Sequence, residues 1–208
     1  PELREAYAAF VCRLREALNA EGKPVVAALA PKTSAQQRGL LYEAHDYALL
    51  SKAANAVFLM TYEWGYTYGE PQAIAPLPQV RAVLDYALSV TAGENIFLGA
   101  PLYAYDWPLP YEKGRTRAET FSSQAAVARA RLVGAEIEFD ETAHSPCYHY
   151  FDKMRREHVV WFEDARSLRA KIALAAEKGL QGIGFWQAGR ELAQAWPLLD
   201  ALVTLETL

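Results

Sequence analysis

Cysteine is scarce in this chain of 208 residues, and the glycine-rich loops that cradle phosphates are missing. Cys12 and Cys147 are too few to read as a disulfide framework, and they leave the redox compartment open. No GxGxxG and no GxxxxGKS/T occurs, which argues against a dinucleotide or P-loop site. Basic runs are absent too. Lys and Arg number 21 against 25 Asp and Glu, and the net charge is -4, so no nucleic-acid partner is expected. No apolar run reaches membrane-spanning length, which excludes insertion as a helix. Internal repeats and low-complexity segments are also lacking. The opening PELREAYAAF reads directly as helix rather than as a signal peptide.

What remains is an ordinary globular composition, 52% hydrophobic and 22% charged. The length suits one large domain, or a domain with an insertion. Aromatics are plentiful, with 5 Trp and 12 Tyr. Pro1 to Ala20 reads as an amphipathic helix with Leu3, Tyr7, Phe10, Leu14 and Leu18 at helical spacing. Val25 to Ala30 is an apolar run between two prolines, as a strand buried on both faces requires. A loop from Pro31 to Leu41 leads to a helix over Glu43 to Ala54 and a second buried strand over Ala56 to Tyr62. Gly65 to Pro78 is a loop, Gln79 to Val90 a helix, and Asn95 to Leu102 a third strand.

The rhythm breaks from about Tyr105 to Trp161. A helix at Ser122 to Val133 and short strands at Ala135 to Phe139, Cys147 to Phe151 and His158 to Trp161 read as a small α+β insertion. The rhythm resumes with a helix at Ala165 to Lys178, a strand at Gly182 to Trp186 and a helix from about Pro197 to Thr204. Helix and strand in alternation, with short apolar strands, is a parallel β/α pattern.

Tyr and Trp stand beside a few acids at the carboxyl ends of these strands. Tyr62-Glu63-Trp64 follows the second, Tyr103-Ala104-Tyr105-Asp106-Trp107 the third, and Trp186-Gln187 the fourth. That end of a β/α sheet is where sites are built. Flat rings with polar tips beside carboxylates suit a carbohydrate, although any one of these rings could equally be core.

The segments MTYEWGY, GAPLYAYDWPLPY and GIGFWQAG resemble the sixth, seventh and eighth strands of a glycoside hydrolase family 18 barrel. With ALAPKTSAQQRGLLYEAHDY, they are most similar to the chitinase-like branch of spore-cortex N-acetylglucosaminidases. The resemblance implies an α/β fold, the second half of a (β/α)8 TIM-type barrel with a small α+β insertion before the last strand. Residues 1–104 would be half-barrel β/α units, 105–164 the insertion and 165–208 the last unit.

It also implies substrate-assisted, retaining hydrolysis of an N-acetylglucosamine-containing glycan such as cortex peptidoglycan, without cofactor or metal. Action outside the cytoplasm or in the spore envelope is implied by the family alone. By resemblance, Tyr62 would bind the acetamido group and Glu63 would orient the substrate amide or the acid. Met60 and Trp64 would line the sugar pocket, Trp186 would lie under the sugar that is cleaved, and Tyr103, Asp106 and Gln187 would line the cleft. Core packing describes Met60 equally well. Glu63 stands where many members have Asp, and Ala104 where many have Gly.

The family's general acid ends a DxxDxDxE motif, and none occurs here. The acid is expected just upstream of Pro1, since the chain reads as half of a barrel. Open sheet edges would then be covered by the missing half or by self-association. A lectin-like barrel without catalysis and an inactive fragment are the alternatives. The histidines of Glu141-x-x-His144, His149 and His158 read as surface or structural groups rather than metal ligands, and Cys147 beside His149 does not make a catalytic dyad.

Overall fold

In a computed structural model, residues 3–203 are described. The chain runs α1 (Arg4–Asn19), β1 (Val26–Leu29), α2 (Tyr47–Ala53), β2 (Ala56–Leu59), α3 (Leu77–Leu88), β3 (Ile96–Pro101), β4 (Tyr103–Pro108) and β5 (Glu119–Ser122). It continues through α4 (Ser123–Val133), β6 (Glu138–Asp140), β7 (Ser145–Phe151), β8 (Glu157–Trp161), α5 (Ala165–Glu177), β9 (Gly182–Trp186) and α6 (Ala195–Leu202).

The four apolar runs form one parallel sheet in the order β1-β2-β3-β9. Parallel strands buried on both faces need continuous apolar sequence. Val57, Leu59, Ile96 and Leu98 are accordingly fully buried. Helices cover the outer face through Leu50, Val80, Val83, Leu84, Leu168 and Leu174. On the inner face the Phe58 ring lies where side chains of β3 and β9 would otherwise stand. A Cβ on Gly99 would sit 2.8 Å from that ring, and one on Gly184 2.5 Å from it. The glycines thus make room for one large ring that spans three strands. Gly99→Ala is expected to cost about 1–3 kcal/mol by overpacking against Phe58 and the Leu59 carbonyl, readable as a lower urea midpoint. Among the described residues, nothing pairs with the outer edges of β1 or β9.

The second sheet is antiparallel, in the order β5-β4-β8-β7-β6. Only Leu102 separates the end of β3 from the start of β4, so the two sheets share one nearly continuous stretch of chain. Tyr103, Tyr105 and Trp107 belong to the larger core, while Ala104 packs with Phe121, Ala126, Tyr148, Val160 and Phe162 in a separate smaller one.

Glu163 and Lys171 join the second sheet to α5. Both side chains are fully buried, with Nζ 2.9 and 3.1 Å from the two carboxylate oxygens. Burial pushes the Glu163 carboxyl up, and the Lys171 ammonium opposes that shift. Asp164 then caps α5 by accepting from the Arg166 and Ser167 amides, with a reciprocal bond from the Asp164 amide to the Ser167 hydroxyl.

Several expectations need correction. Tyr103 to Trp107, expected only as a cluster following the third strand, is itself a strand, β4, and β5 is a further strand that the sequence reading does not contain. The alternation Tyr-Ala-Tyr-Asp-Trp has the two-residue period of a strand. The helix expected from Glu43 starts at Tyr47, because Asp46 is extended and caps it by accepting from the Leu49 amide. Ala56 to Tyr62 pairs as strand only to Leu59, and the strand expected from Ala135 begins at Glu138. α1 exists, but its buried side is not the expected stripe. Val11 is buried and Tyr7, Ala8 and Cys12 pack on the core, while Leu3, Phe10 and Leu14 are exposed. The last helix is Ala195–Leu202; Pro1 and Thr204 lie outside the described residues.

Candidate active site

The loops after β1 and β2 form a cleft of about 670 Å³. One wall comes from the segment after β1, with Pro31, Gln37, Leu41 and Tyr42. The other comes from Met60, Tyr62, Glu63, Trp64 and Tyr66. The first wall is fastened to α2. Tyr47 donates its hydroxyl to the Ala30 carbonyl at 2.6 Å and accepts the Lys32 amide at 2.8 Å. His45 Nδ1 accepts the Ala30 amide, and Lys32 Nζ donates to the His45 carbonyl. Burial lowers the Lys32 ammonium below its ordinary range. That lysine is therefore a structural pin under the loop.

The second wall depends on a sharp turn. After Met60 bonds back to Leu29, Glu63 adopts a left-handed φ of 72°, unusual for a residue with a side chain. Such strain concentrates at functional positions and is sustained by the surroundings. Here the sustaining contacts are plain. Glu63 Oε1 accepts hydrogen bonds from the Tyr103 hydroxyl at 2.5 Å and the Tyr105 hydroxyl at 2.9 Å. Beyond the turn, the Trp64 and Gly65 amides bond to Ile74 and Ala73, and the Trp107 indole donates to the Gly69 carbonyl. Gly65 is required, because a Cβ there would run into the Gln72 carbonyl.

Three tyrosines stand in series. Tyr62 meets Tyr103 edge to face at 6.3 Å, and Tyr103 meets Tyr105 the same way at 5.5 Å. Burial and the Glu63 charge push the Tyr62 phenol up to about 12. Burial is the main cause of the rise to about 12 at Tyr105, and it drives Tyr103 up as well. All three therefore remain hydrogen-bond donors across the neutral range. Tyr103 and Tyr105 spend their protons on Glu63. The Tyr62 hydroxyl has no partner among the described residues, and its ring lines the cleft.

The structure thus brings together Met60, Tyr62, Glu63 and Trp64 at the cleft, with Tyr103 behind Glu63. Trp186 and Gln187 stand exposed at the end of β9 and are not among the residues lining this cleft. Asp106 is buried elsewhere, on the other face of β4 from Tyr103 and Tyr105. Its carboxylate holds Arg129 at 2.5 Å, the Tyr150 hydroxyl at 2.6 Å and His158 Nδ1 at 2.6 Å. Sequence reasoning assigned no role to Tyr105, Tyr42 or Tyr66. The signal for Tyr105 was its i, i+2 relation to Tyr103, which puts both rings on one face of a strand. Burial pushes the Cys147 thiol up to about 11, which leaves it a poor nucleophile. Among the described residues, no cluster of three or more His, Cys, Asp or Glu could hold a metal ion.

Glycosyl hydrolases family 18 matches residues 1–191 of this chain. The cortical fragment-lytic enzyme of Bacillus subtilis (strain 168) is 47% identical over 200 residues, covering 96% of this chain and 46% of that protein. The crystal structure of the Bacillus cereus spore cortex-lytic enzyme SleL superposes with a TM-score of 0.93 at 42% identity, over 98% of this chain and 47% of that one. The structure of a chitinase from Chromobacterium violaceum ATCC 12472 gives 0.86 at 25% identity, over 96% of this chain and 61% of that one. The chain spans just under half the length of the two Bacillus relatives. Its parallel sheet is part of the barrel that such chitinase-like proteins close. A match over most of its length, with a superposable fold, makes this chain a member of glycosyl hydrolases family 18.

Proposed function

We propose that this chain supplies the substrate-holding side of a glycosidase cleft for N-acetylglucosamine-containing glycan, cortex peptidoglycan in particular. The observation that carries the proposal is the Tyr62 hydroxyl, without a partner among the described residues, in an aromatic cleft beside a carboxylate held by two phenols. Tyr62 donates to the acetamido oxygen of the sugar that is cleaved. That oxygen attacks the anomeric carbon, the bond to the leaving sugar oxygen breaks, and a glutamic acid protonates that oxygen. Water then opens the cyclic intermediate, returning the proton to the acid and retaining configuration.

Glu63 does not serve as that acid. Its Oε1 is already engaged by the Tyr103 and Tyr105 hydroxyls, and it does not end the DxxDxDxE motif that carries the family's acid. Its role is to orient the substrate amide or the acid. Support for an acid outside these 208 residues comes from two facts. The chain has no DxxDxDxE motif, and it spans only 46% of the cortical fragment-lytic enzyme it resembles. Spore-envelope action follows from the same relatives and is part of this proposal.

Binding tests the reading on the chain itself. Titration with N-acetylglucosamine oligomers should give a saturable change in tryptophan fluorescence. Trp64→Ala should weaken it about tenfold, the scale of one lost aromatic contact. No saturable response in the wild-type chain would contradict the proposal.

A further inference from the structure

A second cavity lies on the other side of the loop that forms the cleft wall. It measures about 420 Å³, within the usual range for small-molecule sites. Glu70 and Pro71 line it from the 64–76 loop, Leu109 and Tyr111 from the segment after β4, and His149 and Trp161 from the floor strands β7 and β8. The floor is the face of the second sheet that carries Tyr105 and Trp107, beyond the point where the 64–76 loop covers it. Trp161 stands between Tyr105 and Cys147 in the register, and His149 lies opposite Val159.

We propose that this groove is a second glycan-binding site, which seats a pyranose ring of the same N-acetylglucosamine-containing chain that enters the cleft. The inference rests on the glycan reading of the cleft and extends it. Three observations carry it. First, the groove pairs flat rings with polar groups, as a sugar with apolar faces and hydroxyl edges requires. The Trp161 ring packs on the core, and its indole N–H has no acceptor among the described residues. The ring is only partly buried there, at the edge of the groove. His149 is exposed and holds Glu157 through Nδ1 at 3.0 Å, which leaves Nε2 for a ligand.

Second, the charge excludes other occupants. Glu70 and Glu157 flank the groove, which disfavours phosphate, and the cavity is too small for a protein helix. Third, the two cavities share a wall. Trp64 and Tyr66 face the cleft, while Glu70 and Pro71 of the same loop face the groove. That loop is held rigidly, by the Trp107 indole on Gly69 and the Tyr111 hydroxyl on Tyr68. Only Thr67, Tyr68 and Gly69 separate the two linings along the chain.

Nitrogen-proton correlation spectra of this chain separate the two sites, since Trp64 reports the cleft and Trp161 the groove. Trp161→Phe and Trp64→Phe assign the two indole signals. Titration with the N-acetylglucosamine hexasaccharide should move both. His149→Ala, at a surface position, should shift the Trp161 titration to about tenfold higher concentration and leave the Trp64 curve in place. Movement of Trp64 with a still Trp161 overturns the second site and keeps the cleft. Stillness of both overturns the two readings together. A Trp161 curve unaffected by His149→Ala overturns the groove as the contact, because the signal then comes from elsewhere.

Discussion

Tyr62→Phe, placed in a protein extended to the length of the Bacillus relatives, should lower kcat about 100-fold, the scale of a lost positioning contact. KM should change by less than about threefold, because the phenol fixes the attack geometry of one acetamido group and adds little to the binding of the whole polymer. The reasoning starts from the ring. Tyr62 is 7% exposed and packed edge-on against Tyr103, so its position does not depend on the hydroxyl. Phenylalanine fills the same space. What it lacks is the one donor in the tyrosine series not spent on Glu63. An acetamido oxygen that attacks carbon loses electron density, and its amide must be held for that attack; the phenol does the holding.

The pH profile gives a second readout. The Tyr62 phenol is raised to about 12, so it is protonated at every pH below that and adds no limb to the activity curve. Wild type and Tyr62→Phe should therefore share their pH limbs and differ only in height. An unchanged rate, or a shifted limb, would remove Tyr62 from this role.

The other large effect concerns stability. Lys171→Met should destabilise the fold by about 3–5 kcal/mol, because it strands a carboxylate in a fully buried site. Burial already pushes the Glu163 carboxyl up, and Lys171 is the main group opposing it. Without the ammonium, the carboxyl rises further above its unfolded value. A group raised in this way favours the fold while protonated, and that contribution is lost as pH rises through the folded pKa. The variant should therefore lose stability progressively above the ordinary carboxylate range, by urea unfolding at several pH values. Replacing both partners, Glu163→Leu with Lys171→Met, should recover most of the loss, since the pair earns little over apolar packing. A single variant as stable as wild type would mean that water reaches the pair.

The parallel sheet was legible because each of its strands is a continuous apolar run between turn residues, and Gly182–Trp186 was read to the residue. The cleft residues on β2 were legible for the same reason: once the strand is placed, its carboxyl end is placed too. β4 was hidden by its own chemistry. Its aromatics drew attention as a cluster at a strand end and masked the two-residue alternation, which the pairing with β8 makes plain. Asp106 follows from that. Its neighbours Arg129, Tyr150 and His158 lie 23, 44 and 52 residues away in sequence, so no local pattern announces them. α1 misled through symmetry. Apolar residues occupy two sides of that helix, and packing against α2 selects Val11 rather than Phe10.

The account's central claim is that this chain holds the glycan while the acid comes from elsewhere. Hydrolysis tests it most directly: N-acetylglucosamine oligomers and cortex fragments, digested by this chain beside a version extended upstream to the relatives' length. The account expects cleavage by the extended version alone, with retained configuration at the new reducing end. Cleavage by these 208 residues on their own would contradict it, and Glu63 would then be the first residue to replace.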